Sequence, residues 1–370
     1  MIVQRLNRKS HPGPRTELLS RYFTRENGGV NRKTLFVILT ESRTGVGYGE
    51  TRTLPKAGKV DKLAPESMVE DKPLQSEGEQ LDEILAELQR QHQVKEISGW
   101  DTGFANLSRA LDGILPGLYF LVGPPACGKT ALAKQLLDQV AMHNRAPGIF
   151  FTFAETVKEL RIRTLARLSG LENREIRRGS AFLLHWYGVP KAHYKESDQL
   201  PPSWEKLKRS AEEAKSWLEL TYLVECGRES DLEQIEERIK NLRTLRDTEQ
   251  VLAVVDDCQR LENRELPPRD RLALITERLQ GAAVNLKIPI LAVWPDLGEE
   301  PDTAPQAWAE RAPDADVILV LEIDRERTKK LTEPNEAITL HIVKNRGGER
   351  GKLALDFYPA LAKFVEPSAG

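Results

Sequence analysis

The segment Gly123-Pro124-Pro125-Ala126-Cys127-Gly128-Lys129-Thr130 matches the phosphate-loop pattern G-x-x-x-x-G-K-[ST], and this match decides the fold. The apolar run Leu118–Val122 precedes it and the helical pattern Ala131–Val140 follows it, so the loop joins a strand to a helix. Its glycines let backbone N–H groups curl around phosphate oxygens, and the helix N-terminus adds a favourable dipole. We expect these eight residues to bind a nucleoside triphosphate, with Lys129 on the β- and γ-phosphates and Thr130 on Mg²⁺.

Short apolar runs alternate with amphipathic stretches from about residue 97 onward. The runs are Leu118–Val122, Gly148–Phe153, Leu218–Val224, Val251–Val255, Ile288–Val293 and Val317–Ile323. This alternation predicts a parallel α/β sheet that is covered by helices on both faces. Two later runs, Ala337–Val343 and Lys352–Tyr358, flank the glycine-rich segment Gly347–Gly351, and they predict an antiparallel hairpin at the end of the chain.

Acidic residues follow two of the expected strands. Asp256 directly continues the run Val251–Val255, which is where a phosphate-loop enzyme holds Mg²⁺; Asp257 is the alternative. Glu155 follows the run Gly148–Phe153 and is placed to orient or deprotonate a water molecule. The residues alone leave a second interpretation open, in which Glu155 is an acid at the N-terminus of the next helix.

Charge and composition narrow the class of protein. The 370-residue chain has 54 Lys and Arg against 56 Asp and Glu, a net charge of -2, which excludes a wholly basic nucleic-acid-wrapping protein. Its three cysteines form no C-x-x-C pair and no disulfide framework. No apolar run approaches the roughly 18 residues of a membrane helix, and residues 1–10 lack the apolar core of a signal peptide. We therefore expect a cytoplasmic protein with no membrane partner.

Charge also divides the N-terminal part of the chain. Residues 1–60 form a basic extension that contains one β-like run, Thr34–Leu39. Residues 61–96 carry ten acidic and four basic residues, and we interpret them as an acidic linker with an amphipathic helix. The apolar face of this helix packs either on its own domain or on a neighbouring subunit. Its residues are spaced at i, i+3, i+4 and i+7: Leu81, Ile84, Leu85 and Leu88.

The order of segments resembles the C-terminal ATPase domain of the DnaB-type replicative helicases, a branch of the RecA-like fold. The resemblance covers roughly residues 97–366, and it implies a RecA-like P-loop ATPase domain that binds ATP and Mg²⁺. Besides the phosphate loop it is carried by short motifs, which are Thr102–Leu107 with Leu111–Ile114 (T-G-F-x-x-L-D-x-x-x-x-G), Phe153–Glu155 (S-L-E), Ile176–Gly179 (I-R-x-G), Asp256–Gln259 (D-Y-x-Q), Asp314–Val317 (Q-D-A-D-V) and Lys344–Gly348 (K-Q-R-N-G).

The resemblance implies a role for each matched residue. Glu155 would polarise the attacking water, Asp256 would be the Walker B acid, and Gln259 would relay the state of the γ-phosphate. Lys344 and Arg346 would reach into the nucleotide site of the neighbouring subunit. Such trans-acting residues require a homo-oligomer, and the resemblance implies a hexameric ring.

The chain departs from the family pattern where DNA contacts are expected. Trp294-Pro295-Asp296-Leu297 replaces the polar segment S-Q-L-x-R, and the loop 296–316 carries seven acidic residues, which repel phosphates. The other candidate DNA-binding segment is 259–271, and a solvated face is its equal alternative. This segment contains four arginines: Arg260, Arg264, Arg269 and Arg271.

These observations lead to one main hypothesis and two alternatives. The main hypothesis is an ATP-dependent DNA helicase-like motor that hydrolyses ATP between the subunits of a ring and translocates on single-stranded DNA. Replication or loader proteins are then its expected partners. The first alternative is a non-motor RecA-like ATPase that acts as an ATP-driven assembly switch or loader for partner proteins. The second is a DNA-binding scaffold that holds ATP without hydrolysing it.

Overall fold

The chain divides into two compact units, Met1–Pro73 and Leu74–Gly370. The computed structural model describes residues 97–178, 202–261, 266–295, 304–331 and 335–367, with short pieces at 24–26, 29–31, 78, 81 and 85–86. In the first unit, strands β1 (Thr24–Glu26) and β2 (Gly29–Asn31) pair antiparallel. The expected β-like run Thr34–Leu39 lies outside the described residues.

The second unit contains a nine-stranded sheet. Its strands are β3 (Gly117–Gly123), β4 (Gly148–Thr152), β5 (Thr221–Glu225), β6 (Leu252–Asp256), β7 (Pro289–Pro295), β8 (Val317–Ile323), β9 (Glu336–Asn345), β10 (Gly351–Tyr358) and β11 (Lys363–Val365). Their order across the sheet is β11-β10-β9-β8-β3-β7-β6-β4-β5. Strands β3 to β8 are parallel, and β9, β10 and β11 continue the sheet antiparallel from β8.

Helices connect the parallel strands, as crossovers between parallel strands require. The described α-helices are α1 (Ala105–Leu111), α2 (Lys129–Asn144), α3 (Val157–Ser169), α4 (Asn173–Arg178), α5 (Pro202–Leu218), α6 (Leu232–Arg246), α7 (Pro268–Leu286), α8 (Trp308–Arg311) and α9 (Arg325–Thr328). Short 3-10 turns cover Cys258–Arg260, Pro305–Ala307 and Pro359–Leu361.

Two apolar layers cover the two faces of the sheet. On one face, Phe120 of β3 packs in a layer with residues of α6 and α7. On the other face, Leu121 packs in a layer with residues of α2. All seven residues of β3 are buried, because a strand in the middle of a doubly covered sheet has no solvent-facing side.

The predicted fold class is confirmed, including the antiparallel hairpin formed by β9 and β10. One expected strand is displaced: Leu218 ends helix α5, and β5 begins at Thr221. Within 61–96 the structure describes Gly78, Leu81, Leu85 and Ala86, and all four are helical. In the described part of the chain, no helix combines the length and the hydrophobicity needed to span a membrane.

Candidate nucleotide-binding site

The phosphate loop lies between the end of β3 at Gly123 and the start of α2 at Lys129. Gly128 has a φ of +89°, and a Cβ atom there would lie 2.7 Å from Cζ of Phe364 and 2.8 Å from Cζ of Phe357. These two rings stack with their centroids 4.3 Å apart. The backbone conformation and the close aromatic rings both require glycine at this position.

The side chain of Lys129 forms hydrogen bonds with the backbone of the phosphate loop. Its Nζ atom donates to the carbonyl oxygen of Gly123 at 2.8 Å and to that of Pro124 at 2.7 Å. The ammonium group is therefore held over the loop where phosphate oxygens are expected to bind. These two carbonyl groups accept the hydrogen bonds of the Lys129 ammonium group, and charged phosphate oxygens would be stronger acceptors.

Asp256 ends strand β6 and is buried, with an exposed fraction of 3%. Burial is the main cause that raises its pKa to about 6, and the nearby Asp257 and Glu155 act in the same direction. A hydrogen bond with Thr130 and the charge of Lys129 act in the opposite direction. Its Oδ2 atom is buried and has no hydrogen-bond partner.

The pair of Thr130 and Asp256 fits a magnesium ion. A hydroxyl group lies beside a carboxylate with a free oxygen, and Mg²⁺ is usually held by one or two such groups together with phosphates and water. Among the described residues, no group of three or more His, Cys, Asp or Glu side chains is arranged to hold a metal alone. Asp257 also has a buried oxygen without a partner, Oδ1, but it is the weaker candidate, because its contacts are with Gln259 and Arg260 and not with Thr130.

Glu155 lies in a tight turn after β4. Its backbone N–H donates to Oγ1 of Thr152 at 3.0 Å, and that hydroxyl donates to the carbonyl oxygen of Glu155 at 2.8 Å. Strands β4 and β6 are neighbours in the sheet, and the N–H of Phe153 donates to the carbonyl oxygen of Asp256 at 2.6 Å. The sheet therefore brings the two expected acidic residues to the same edge.

A cavity of about 610 Å³ opens at this edge and has the size of a small-ligand site. Lys129, Thr130 and Glu155 contribute to its wall, together with residues of α4 and of the turn Pro359–Leu361. Two of the three predicted segments, the phosphate loop and Glu155, thus line one cavity, and Asp256 lies next to Thr130 of its wall.

Arg163 is a cavity residue that the sequence analysis missed. Its Nη2 atom forms an ion pair with Oε1 of Glu155 at 2.5 Å. Burial raises the pKa of Glu155, whereas Arg163 lowers it. The available signal was an arginine two helical turns after the acidic residue, on the helix that follows it.

A second feature missed from the sequence is a buried charged cluster between α2 and α3. Asp138 contacts Lys134 and Arg167, and it accepts a hydrogen bond from Oγ1 of Thr164 at 2.9 Å. The side chains of Asp138 and Lys134 are each 2% exposed. This cluster fixes the helix that carries Arg163 against the helix that follows the phosphate loop.

Lys344 and Arg346 lie at the edge of the sheet that is formed by the N-terminal ends of the parallel strands, whereas the phosphate loop lies at their C-terminal ends. Arg346 pairs with Asp316, which also accepts a hydrogen bond from the N–H of Leu118 near the start of β3. Lys344 donates to the carbonyl oxygen of Pro313 at 2.5 Å, and partial burial and the charge of Arg346 lower its pKa. The two residues therefore do not join the cavity of their own chain.

The described arginines of segment 259–271 differ in their surroundings. Arg260 donates to the carbonyl oxygen of Phe153 at 2.8 Å, and Arg271 donates to that of Leu266 at 3.0 Å. Arg269 is exposed at the start of α7, and Arg264 lies outside the described residues. Two of these side chains therefore bond to the protein's own backbone.

Comparison with known sequences places this geometry in a family. Residues 99–366 match the model of the DnaB-like helicase C terminal domain. The chain is 23% identical over 300 residues to a probable replicative DNA helicase of Trieres chinensis, covering 77% of this chain and 61% of that protein. It is 25% identical over 281 residues to the replicative DNA helicase DnaB of Treponema pallidum (strain Nichols), covering 73% and 56%. The chain spans less than two thirds of either relative.

Solved structures share the same fold. One of them is an isolated ATPase domain that superposes with a TM-score of 0.64 at 17% identity, covering 79% of this chain and 100% of that one. A DnaB-like replicative helicase, described with its interactions with primase, gives 0.61 at 18% identity, covering 79% and 71%. The family match extends over most of the chain and includes the phosphate loop, so the chain belongs to the DnaB-like helicase C-terminal domain family.

Proposed function

We propose that this chain is an ATP-dependent DNA helicase-like motor. The observation that carries the proposal is the single cavity in which Lys129, Thr130 and Glu155 meet beside the buried Asp256. This arrangement has a phosphate-binding loop, a site for Mg²⁺ and a candidate base for water. Membership of the DnaB-like family supports DNA as the substrate of the motor.

In the proposed reaction, a water oxygen forms a bond to the γ-phosphorus and the bond to the bridging oxygen of ADP breaks. That oxygen keeps the electron pair, and Glu155 takes the proton of the water. Lys129 binds the β- and γ-phosphates, while Thr130 and Asp256 would hold Mg²⁺, which supplies positive charge to the phosphates. Gln259, whose Nε2 atom donates to Oδ2 of Asp257 at 2.7 Å, would transmit the loss of the γ-phosphate along the turn after β6.

The motor is proposed to work as a homo-oligomer, with a hexameric ring as its form. Lys344 and Arg346 lie at the far edge of the sheet and would complete the site of a neighbouring subunit. Leu81 and Leu85 of the N-terminal helix are each 52% exposed, which supports docking of this helix on another copy. Both features offer groups that a neighbouring subunit would contact.

Single-stranded DNA is the proposed substrate for translocation. Arg269 is the described arginine of segment 259–271 that is exposed at a helix start. Arg260 and Arg271 are partly engaged with backbone carbonyls and would contribute less to phosphate binding. Replication or loader proteins are proposed as partners, since the structural relative is described with primase.

A non-motor ATPase that switches the assembly of partner proteins is the second candidate. It is favoured by Trp294, which lies near the end of β7 where the family's polar segment begins. This side chain is 7% exposed, and its ring centroid lies 6.0 Å from that of Phe120. A buried indole at this position is a poor sensor of nucleotide, so coupling to DNA would need another route.

The test is the steady-state ATPase rate with and without single-stranded DNA, with Lys129→Ala as the blank. Lys158→Ala, which changes an exposed lysine on α3, is the matched control. Stimulation by DNA supports the motor, whereas a Lys129-dependent rate that ignores DNA supports the partner-directed switch. Glu155→Gln should lower the rate by about 10²–10⁴ while ATP binding survives, and an unchanged rate would show that Glu155 is not the base. A wild-type chain that binds ATP but hydrolyses it no faster than the Lys129→Ala blank would instead be a scaffold that only holds ATP.

A further inference from the structure

Two side chains of the site that are expected to contact the nucleotide and its Mg²⁺ have internal partners in this structure. Lys129 is bonded to the carbonyl groups of Gly123 and Pro124. Thr130 is hydrogen-bonded to Asp256. Binding of Mg-ATP in the proposed manner requires both groups to exchange these partners for phosphate oxygens and Mg²⁺.

Glu155 and Arg163 form a third internal pair in the same cavity. The contact is made by one guanidinium nitrogen and one carboxylate oxygen, and each side chain is about one quarter exposed. Oε2 of Glu155 is buried without a partner. A single contact at a partly wet position is a weak ion pair, so it exchanges easily.

The backbone on both sides of this pair is fixed. Thr152 holds the turn of Glu155, and the N–H of Val157 at the start of α3 donates to Oε1 of Glu225 at 2.7 Å. One helical turn after Arg163, the side chain of Arg167 is 7% exposed and bound to the buried Asp138. Arg167 therefore anchors the helix, and the side chain of Arg163 is the part that can move.

We propose that Arg163 exchanges partners when nucleotide binds, leaving Glu155 for a phosphate oxygen of the triphosphate. The exchange frees the Glu155 carboxylate, which is otherwise neutralised by the guanidinium, to accept the proton of the attacking water. A triphosphate offers more negative charge than one carboxylate and accepts both arms of a guanidinium group. This inference rests on the proposed ATPase function and adds Arg163 to it as a residue that binds the triphosphate.

The first test is steady-state ATP hydrolysis by the full chain with Arg163→Gln, Arg163→Lys and Arg161→Gln. Arg161 is exposed on the same helix and serves as the matched control. A contact that is equal in the bound and transition states affects KM alone, so Arg163→Gln should raise KM about tenfold and change kcat less than about twofold. Arg163→Lys should recover part of the affinity for ATP, because it keeps the positive charge but lacks the two parallel N–H donors of the guanidinium group.

The second test measures Mg-ATP binding by calorimetry in the Glu155→Gln chain, where hydrolysis does not interfere. Adding Arg163→Gln should weaken Mg-ATP binding about tenfold. The Glu155→Gln chain has no carboxylate at position 155 for Arg163 to pair with, so the second change removes the phosphate contact alone. Equal melting temperatures of the Arg163→Gln and Arg161→Gln chains show that folding is preserved. If Arg163→Gln unfolds the chain, Arg163→Lys carries both tests with a smaller expected effect.

Two results overturn the proposal. A loss of kcat at unchanged KM means that Arg163 stays on Glu155 through the chemical step. Unchanged ATP binding in the Glu155→Gln background means that Arg163 does not contact phosphate. A wild-type chain that binds ATP without hydrolysing it contradicts the proposed function instead, and the calorimetric test still decides the role of Arg163.

Discussion

Arg346 forms an ion pair with Asp316 at 2.8 Å, at the edge of the sheet opposite to the phosphate loop. Asp316 also accepts hydrogen bonds from Leu118 at 2.9 Å and from Gln280 at 3.1 Å, so it connects β3, α7 and the residue that follows β9. Strand β3 separates the two edges by six residue steps, or about 20 Å. The Arg346 side chain is 65% exposed there, which leaves it accessible to a neighbouring subunit.

This separation predicts that two inactive variants restore activity when they are mixed. Lys129→Ala removes the phosphate loop lysine, and Arg346→Ala removes the proposed trans-acting arginine, whose loss is expected to lower the rate about 10³-fold or more. Equal amounts should recover about one quarter of the wild-type ATPase rate, because random assembly makes about one interface in four complete. Arg350→Ala, in the exposed hairpin turn, is the control that should remain active alone. Mixtures as inactive as the separate variants would contradict action between subunits.

The raised pKa of Asp256, about 6, predicts a pH-dependent cost of keeping this carboxyl buried. The pKa of Asp256 is higher in the folded chain than in the unfolded chain, so protonation of this carboxyl adds to the free energy of unfolding. This contribution is complete below about pH 4 and is lost as the pH rises through about 6. Asp256→Asn keeps the side chain neutral. The advantage of this variant in the free energy of unfolding should therefore grow by about 1–1.5 kcal/mol between pH 5 and pH 8, without nucleotide or Mg²⁺.

Denaturation at these two pH values measures the effect, with Asp270→Asn on the surface of α7 as the control. Mg-ATP should stabilise the wild-type chain but not Asp256→Asn, since the variant lacks the carboxylate that would hold the metal. An advantage of Asp256→Asn that is the same at pH 5 and pH 8 is incompatible with the raised pKa.

The buried cluster of Lys134, Asp138 and Arg167 predicts a large effect from a single change. Asp138→Asn leaves two buried cations without a counter-charge, which should destabilise the chain by about 3–5 kcal/mol. Replacing all three by Met, Leu and Met removes every charge and should cost less than the single change. Glu236→Ala breaks a surface pair with Lys240 at 3.6 Å and is expected to change little. Thermal melting separates these cases, and a harmless Asp138→Asn would contradict the role of the cluster.

The sequence predicts the parallel sheet and the phosphate loop because both depend on local patterns. Apolar runs define the strands, and the loop has a fixed spacing of glycines, lysine and threonine. The acids at the strand ends follow from the rule that parallel strands end at one edge, and the cavity contains Glu155 as that rule expects.

Arg163 and Asp138 were not predicted, for a physical reason. Lys134 and Asp138 are four residues apart on a helix, which is the usual pattern of an exposed ion pair. Their burial depends on α3 packing over α2, a contact between segments that are distant in sequence. The partner of Glu155 likewise depends on how α3 is anchored by Glu225 and Arg167, which no local spacing reveals.

Gly128 gives the last prediction, because this residue combines a backbone requirement with a packing requirement. Its φ of +89° and the rings of Phe364 and Phe357 leave no room for a Cβ atom. Gly128→Ala should therefore displace the loop, lower the melting temperature and abolish ATP binding. Gly281→Ala lies within α7 in open space and should instead stabilise the chain by about 0.5–1 kcal/mol, as alanine favours helix. A Gly128→Ala chain with normal melting and normal calorimetric ATP binding would show that the aromatic pair does not shape the loop.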